Sequence, residues 1–282
     1  MTDKTSLGDR MKKYESAYDN AFPIRLPLII RLDGVHFSTQ VKKWKCEKPF
    51  DQKFIDAMHF TALTLCEQIA GAQIAYTQSD EITILIRDDM SINSQPWYAK
   101  EINKILSVSS AKASNAFNHK FFGLGGSIIM ERSDEDDNIC DPIRLAEMAE
   151  FDCRGYVLPE EEIFNAFLWR QRDFEKNSVQ MLARSLFSHS QLEGKGNSTM
   201  QDMMMSEHKV NWNDLPTHLK RGACVLKKDV LKEVPKRNEK GKVIKDEFET
   251  INRPAWVVDK EIPIFTQDRD YVNQFTKVAL EA

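Results

Sequence analysis

Apolar residues fall in short blocks whose spacing switches between strand and helix. A strand is predicted over 28–32, framed by Pro23 and Pro27 and released at Gly34. From 50 to 69 the apolar positions Phe54, Ile55, Met58, Ala62, Leu65 and Ile69 form a helical stripe, and Gly71 closes it. The stretches 74–76 and 82–86 are short, β-branched and separated by polar residues, so they read as a hairpin. Strand, helix, strand, turn, strand is half of a ferredoxin-like unit. A short amphipathic helix is expected over 9–19, and another helix over 97–117 with Trp97, Ile102, Ile105, Leu106 and Val108 on its apolar side. Gly123, Gly125 and Gly126 interrupt the chain, and the acidic stretch 133–138 suits a surface loop or a domain seam.

Residues 149–158 are predicted to return as a strand. Pro159, followed by Glu160, Glu161 and Glu162, suits the start of a helix running to about 185, because proline fits the first position and acids the positive end of the dipole. The Gly/Ser/Asn-rich stretch 188–200 is expected to be mobile, and 224–234 with 243–258 a basic hairpin around 236–241. The expectation is an α+β chain: a ferredoxin-like catalytic domain over 6–135, then a C-terminal domain over 138–282 with a strand completing the core, a long helix and the hairpin.

Composition narrows the class. The chain has 282 residues, 41% of them hydrophobic, enough for a sizeable core and one or two domains. No apolar run is long enough to span a membrane, and the polar first ten residues lack a signal-peptide core. Cys46, Cys66, Cys140, Cys153 and Cys224 are scattered and odd in number, which argues against a disulfide framework or a zinc site and for a reducing, cytoplasmic home. Net charge is −4, yet basic residues cluster at Lys42, Lys43, Lys45 and Lys48 and again over 220–245. Such clusters read either as solvated surface or as a track for phosphates on an acidic body.

The chemistry concentrates in two motifs, Arg31-Leu32-Asp33-Gly34 and Gln78-Ser79-Asp80-Glu81. Each sets an acid at the end of a buried strand, where it can leave the core and meet solvent. Paired strand-end carboxylates can hold two divalent cations about 3.5–4 Å apart for phosphoryl or nucleotidyl transfer. Oxygen ligands without histidine or cysteine favour Mg²⁺. Asp33 and Asp80 are the candidate ligands, with the Gly34 carbonyl as a third. The amides of Val35, His36, Phe37 and Ser38 are a candidate nest for a triphosphate. Ser79 is placed to bond a phosphate or a ligand, and Lys48 and Lys104 to meet phosphate oxygens. Strand alternation would turn Glu81 to the face opposite Asp80. Taken alone, each motif is also an ordinary turn. Asp152 and Arg154 share a strand face and suit an ion pair holding the fold. Trp169 suits the core, while Arg170 and Gln171 suit a phosphate or a helix partner. The methionines at 200 and 203–205 suit packing.

These segments together resemble the tRNA-His guanylyltransferase family and its guanylyltransferase-like tRNA-repair relatives. The matching stretches are R-L-D-G-V-H-F (31–37), K-P-F-D (48–51), Y-T-Q-S-D-E (76–81), P-W-Y-A-K (96–100), F-D-C-R (151–154), W-R-Q-R-D (169–173) and L-K-R-G (219–222), in family order. The resemblance implies a polymerase-palm-like core with two Mg²⁺, ATP and GTP as substrates, tRNA as partner and a homotetramer. It implies nucleotide addition at the tRNA 5′ end, in the 3′–5′ direction, after ATP activates the 5′ phosphate. Asp33, Gly34 and Asp80 match the metal-binding positions, and Glu81 the acid beside them. The loop 34–38, Lys48 and Ser79 match nucleotide-contacting positions. Candidate RNA contacts are Trp169, Arg170, Gln171, Asn177, Lys236 and Arg237. Where the eukaryotic enzymes carry a His-Ile-Asn-Asn-type stretch, this chain has Phe174-Glu175-Lys176-Asn177-Ser178, which points from strict tRNA-His recognition toward template-directed repair. Val35 and Thr77 also depart from the commoner Arg and Gly, leaving nucleotide preference open. The competing readings are a nucleotide-cyclase-like palm enzyme and a non-catalytic RNA-binding protein.

Overall fold

The computed structural model describes residues 6–123, 148–237 and 243–276. Six antiparallel strands form one sheet in the order β4-β1-β3-β2-β5-β6. They are β1 (Leu28–Gly34), β2 (Ala72–Gln78), β3 (Glu81–Ile86), β4 (Phe151–Val157), β5 (Ala223–Arg237) and β6 (Val243–Asp259). Helix α1 (Ser6–Ser16) buries no residue, and the helices that position the site are α2 (Phe37–Lys43), α3 (Gln52–Gln68), α4 (Ile102–Phe122) and α5 (Ile163–Leu186). Beyond them lie α6 (His189–Leu192), α7 (Asn197–His208), α8 (Thr217–Arg221) and α9 (Asp270–Asn273). The run β1-α3-β2-β3-α4-β4 with strand order 4-1-3-2 is the ferredoxin-like arrangement. The expected seam at 135–138 and the acidic stretch 133–138 lie outside the described residues.

The central strands are buried on both faces, which is why they read as continuous apolar runs rather than alternating ones. One core packs Leu28, Ile30, Leu32, Ile82 and Ile84 against Ala57, Met58 and Leu65 of α3 and Ile105 and Phe117 of α4. The other packs Ile29, Ile74, Tyr76 and Leu85 against Phe164 and Phe167 of α5, with Phe265 and Val272 behind. Asp51 caps α3 by accepting the Phe54 N–H at 2.8 Å. Gly71, at φ 85°, turns the chain into β2; a Cβ there would lie 2.5 Å from the Arg87 carbonyl oxygen.

Three local expectations are corrected. The lysine-rich segment after Gly34 is not a continuous loop, because 37–43 form α2, anchored by Phe37 and Trp44 against Phe117. Much of 188–200 is helical rather than loose: α6 and α7 bury Leu192, Met200 and Met204 against Val179, Leu182 and Trp212. Trp169 is not in the core; it stands 52% exposed on α5.

Candidate active site

The two motifs meet at one end of the sheet. The Gly34 N–H donates to the Asp80 carbonyl at 3.1 Å, tying the end of β1 to the β2–β3 turn. That turn passes through Ser79 in the left-handed region at φ 47°. In register, Asp33 lies opposite Glu81 on one side and Asp152 on the other, so three acids stand abreast on one face. Gly34 is required by its neighbour: a Cβ there would sit 2.4 Å from the Phe37 ring, which folds back under the motif.

These acids have different fates. Glu81 is gripped by Arg170 of α5, with Nε donating to Oε1 and Nη2 to Oε2, both at 2.6 Å. This bidentate pair is buried, so Glu81 is a structural anchor and is not brought out with the other acids. Among the described residues neither Asp33 nor Asp80 is in a salt bridge. Burial raises the Asp33 carboxyl, and the charge of Asp152 adds to it, against Arg154, Arg31 and Arg170. Burial followed by the charge of Asp33 pushes Asp80 up to about 6. The charge of Asp33 thus reaches Asp80, so the two half-buried carboxylates lie near one another. Among the described residues no group of three or more His, Cys, Asp and Glu is placed to hold a metal. Two carboxylates nevertheless suit Mg²⁺, which takes one or two from the protein and completes its shell with water and substrate phosphates.

Asp80 and Ser79 border a cleft of about 680 Å³, within the range of small-molecule sites. Ser38, Lys42 and Lys48 line it from the α2 side, and Phe174, Asn177 and Met181 from α5. The expected nest is only partly available. The Val35 amide donates to the Glu150 carbonyl at 2.8 Å, and exposed His36, left-handed at φ 57°, precedes α2 outside the cleft lining. Lys104 is exposed on α4 and paired with Glu101 at 2.7 Å.

Of the expected RNA contacts, Arg170 and Gln171 are corrected. Arg170 is committed to Glu81, while Gln171 accepts from the Phe265 amide and donates to the Pro263 carbonyl, each at 2.9 Å. Trp169 lies over Arg170 at 4.6 Å and Arg31 at 5.5 Å. Lys236 is exposed on β5, and Arg237 ends that strand with its side chain outside the described residues. Asp152 and Arg154 do pair, at 3.7 Å, but on the surface, where the contribution to stability is small. Nothing local in the sequence marks the Arg170 clamp on Glu81, because the two residues stand 89 positions apart.

A family model described as tRNAHis guanylyltransferase (Thg1) matches residues 8–159. The chain belongs to the tRNAHis guanylyltransferase family. An uncharacterized protein of Acanthamoeba polyphaga mimivirus is 30% identical over 87% of the chain and 84% of its own length. A probable tRNA(His) guanylyltransferase of Dictyostelium discoideum is 22% identical over 84% of the chain and 89% of its own length. Among solved structures, a bacterial tRNA(His) guanylyltransferase (Thg1)-like protein in complex with ATP superposes with a TM-score of 0.76 at 38% identity, covering 97% of this chain and 100% of that one. A bacterial Thg1-like protein in complex with GTP gives a TM-score of 0.72 at 36% identity, covering 96% and 99%. The matched range includes both carboxylate motifs.

Proposed function

We propose that this protein is a tRNA 5′-end nucleotidyltransferase working in the 3′–5′ direction, with GTP preferred or the nucleotide chosen by a template. The observation that carries the proposal is the pair Asp33 and Asp80. They stand on neighbouring strand ends, in no salt bridge among the described residues and joined through Gly34, and Asp80 borders a nucleotide-sized cleft. The family and the ATP and GTP complexes of the bacterial Thg1-like proteins support nucleoside triphosphates as substrates and tRNA as partner.

In this reading the ferredoxin-like core is a polymerase-palm-like core. Asp33 and Asp80, with the Gly34 carbonyl, would hold Mg²⁺, which supplies charge neutralisation at the reacting phosphates. Ser79, Ser38 and Lys48 orient the triphosphate along the cleft, and Asn177 faces it from α5. In the first step the tRNA 5′ phosphate attacks the α-phosphorus of ATP, and pyrophosphate leaves. In the second, the 3′-hydroxyl of the incoming nucleotide attacks the activated 5′ phosphorus; its proton goes to solvent and AMP leaves. Glu81 holds the strand end through Arg170 and takes no proton. The RNA approaches over α5, where Trp169, Arg172 and Lys176 border a shallow groove of about 420 Å³; a basic aromatic stripe of this kind suits a stacked nucleotide. A homotetramer and a cytoplasmic location belong to the same proposal.

The test incubates the protein with Mg²⁺, ATP and each nucleoside triphosphate on two 5′-monophosphorylated RNAs. One is tRNA-His lacking its extra 5′ guanosine; the other is a different tRNA missing its first nucleotide. Pairing-dependent addition to both supports template-directed repair, and addition to tRNA-His alone supports guanylyltransfer. Either activity disappears in Asp33→Ala and Asp80→Ala. No addition to either RNA, or a cyclic product from GTP alone, overturns the proposal.

A further inference from the structure

The cleft has a second polar end that the reaction above does not use. Three of its lining residues carry buried polar atoms without a hydrogen-bond partner: Nδ1 of His59, Nδ1 of His218 and Oε1 of Gln78. His59 on α3 is 8% exposed and Gln78 on β2 is 6% exposed, so water does not readily serve them. Buried polar atoms in a folded protein almost always have partners, and an orphan in a cleft marks a place for a ligand. The two imidazoles approach at 6.0 Å between ring centroids, edge to face. Their surroundings are apolar with charges of both signs: Asp56 acts on both rings and Glu261 on His218. Ile55, Met58 and Leu219 line the same cleft, and Lys260 stands near both rings, itself 3.7 Å from Asp56. Burial, with Lys260 adding to it, lowers His59 to about 4 and lowers His218 in the same direction, so both rings are neutral at pH 7.

A neutral pair of imidazoles beside an amide does not attract phosphate. It offers hydrogen bonds to an uncharged group. Elsewhere the cleft is lined by Lys42, Lys48, Ser79 and Asp80. We infer that His59, His218 and Gln78 form a base-reading subsite, which accepts the hydrogen-bonding edge of a purine while the triphosphate lies toward Asp80. Gln78 Oε1 accepts an N–H of the base, and each imidazole donates or accepts according to its tautomer. The inference rests on the nucleotide reading of the cleft and adds which residues distinguish a base from bare phosphate.

The experiment is calorimetric titration of the full chain, with Mg²⁺, by ATP, GTP and inorganic tripolyphosphate. It is repeated on His59→Phe and His218→Phe, which keep the ring and remove its nitrogens. Loss of one such hydrogen bond is worth about tenfold in affinity. Each variant should bind ATP or GTP about tenfold more weakly while tripolyphosphate binding stays within about twofold. Unchanged ATP and GTP binding in the folded variants overturns the subsite and leaves the nucleotide reading intact. Equal weakening of tripolyphosphate also overturns it, since the effect is then on the cleft as a whole. A wild-type protein that binds neither nucleotide overturns the underlying reading, and the subsite with it. Should His59→Phe fail to fold by circular dichroism, His218→Phe decides alone, because its site on short α8 is only half-buried.

Discussion

Asp80→Asn is expected to stabilise the metal-free protein at neutral pH while abolishing its activity. Burial and the nearby Asp33 charge lift the Asp80 carboxyl from its ordinary 3.8 to about 6. Between those values the folded state binds more protons than the unfolded chain. Stability conferred by the protonated acid is therefore full below about pH 4 and falls as pH rises through about 6. A lift of that size corresponds to about 3 kcal/mol as a ceiling. Solvent reaches the turn, and screening reduces the expected effect to about 1–2 kcal/mol. Asparagine keeps the shape and has no charge to desolvate. The variant's advantage over wild type should be small near pH 4.5 and reach about 1–2 kcal/mol at pH 7.5. Urea unfolding in EDTA at both pH values, followed by tryptophan fluorescence, measures this, and equal slopes establish that only stability changed. Mg²⁺ with nucleotide should then stabilise wild type and not the variant. A variant less stable than wild type by the same amount at every pH would refute the reasoning, because Asp80 would then be a turn-forming residue and not a strained charge.

Three further outcomes follow from the same geometry. Arg170→Met strands the buried Glu81 carboxylate and should lower stability by about 3–5 kcal/mol, whereas pairing it with Glu81→Leu should recover most of the loss; a single-variant loss under about 1 kcal/mol in urea unfolding contradicts the clamp. Gly34→Ala drives a methyl into the Phe37 ring and should lower stability by about 1–3 kcal/mol, read as a drop in melting temperature. Trp169→Ala should weaken tRNA binding by about 1–3 kcal/mol in a filter assay and leave ATP binding unchanged; undiminished RNA affinity would remove the platform.

Elements whose signal is local were legible in the chain. The α3 stripe, the β2–β3 hairpin, the Pro159 helix start and the long β5–β6 ribbon lie close to their expected places. So did the meeting of Asp33 with Asp80, because both strands end where their apolar runs end. What escaped depends on partners distant in sequence. The short helices α2, α6 and α7 carry weak propensity signals and form because Phe37, Trp44, Leu192, Met200 and Met204 find pockets on other elements. Trp169 looks like a core residue by type, yet its exposure is set by where α5 meets the sheet. Arg170 and Gln171 look like surface residues, and each is buried against a group far along the chain. Nothing near Glu81 in the sequence revealed the guanidinium that receives it.

The forked Arg170–Glu81 pair also fixes the registration of α5. A guanidinium meets a carboxylate two-pronged in only one orientation, and a helix that slips by one residue turns about 100° and advances about 1.5 Å. Such a slip would carry Trp169 off Arg31 and swing Phe174, Asn177 and Met181 out of the cleft wall. One such pair thus works as an index mark: it aligns the surface proposed for RNA with the wall proposed for nucleotide, so that the two would meet in a common frame.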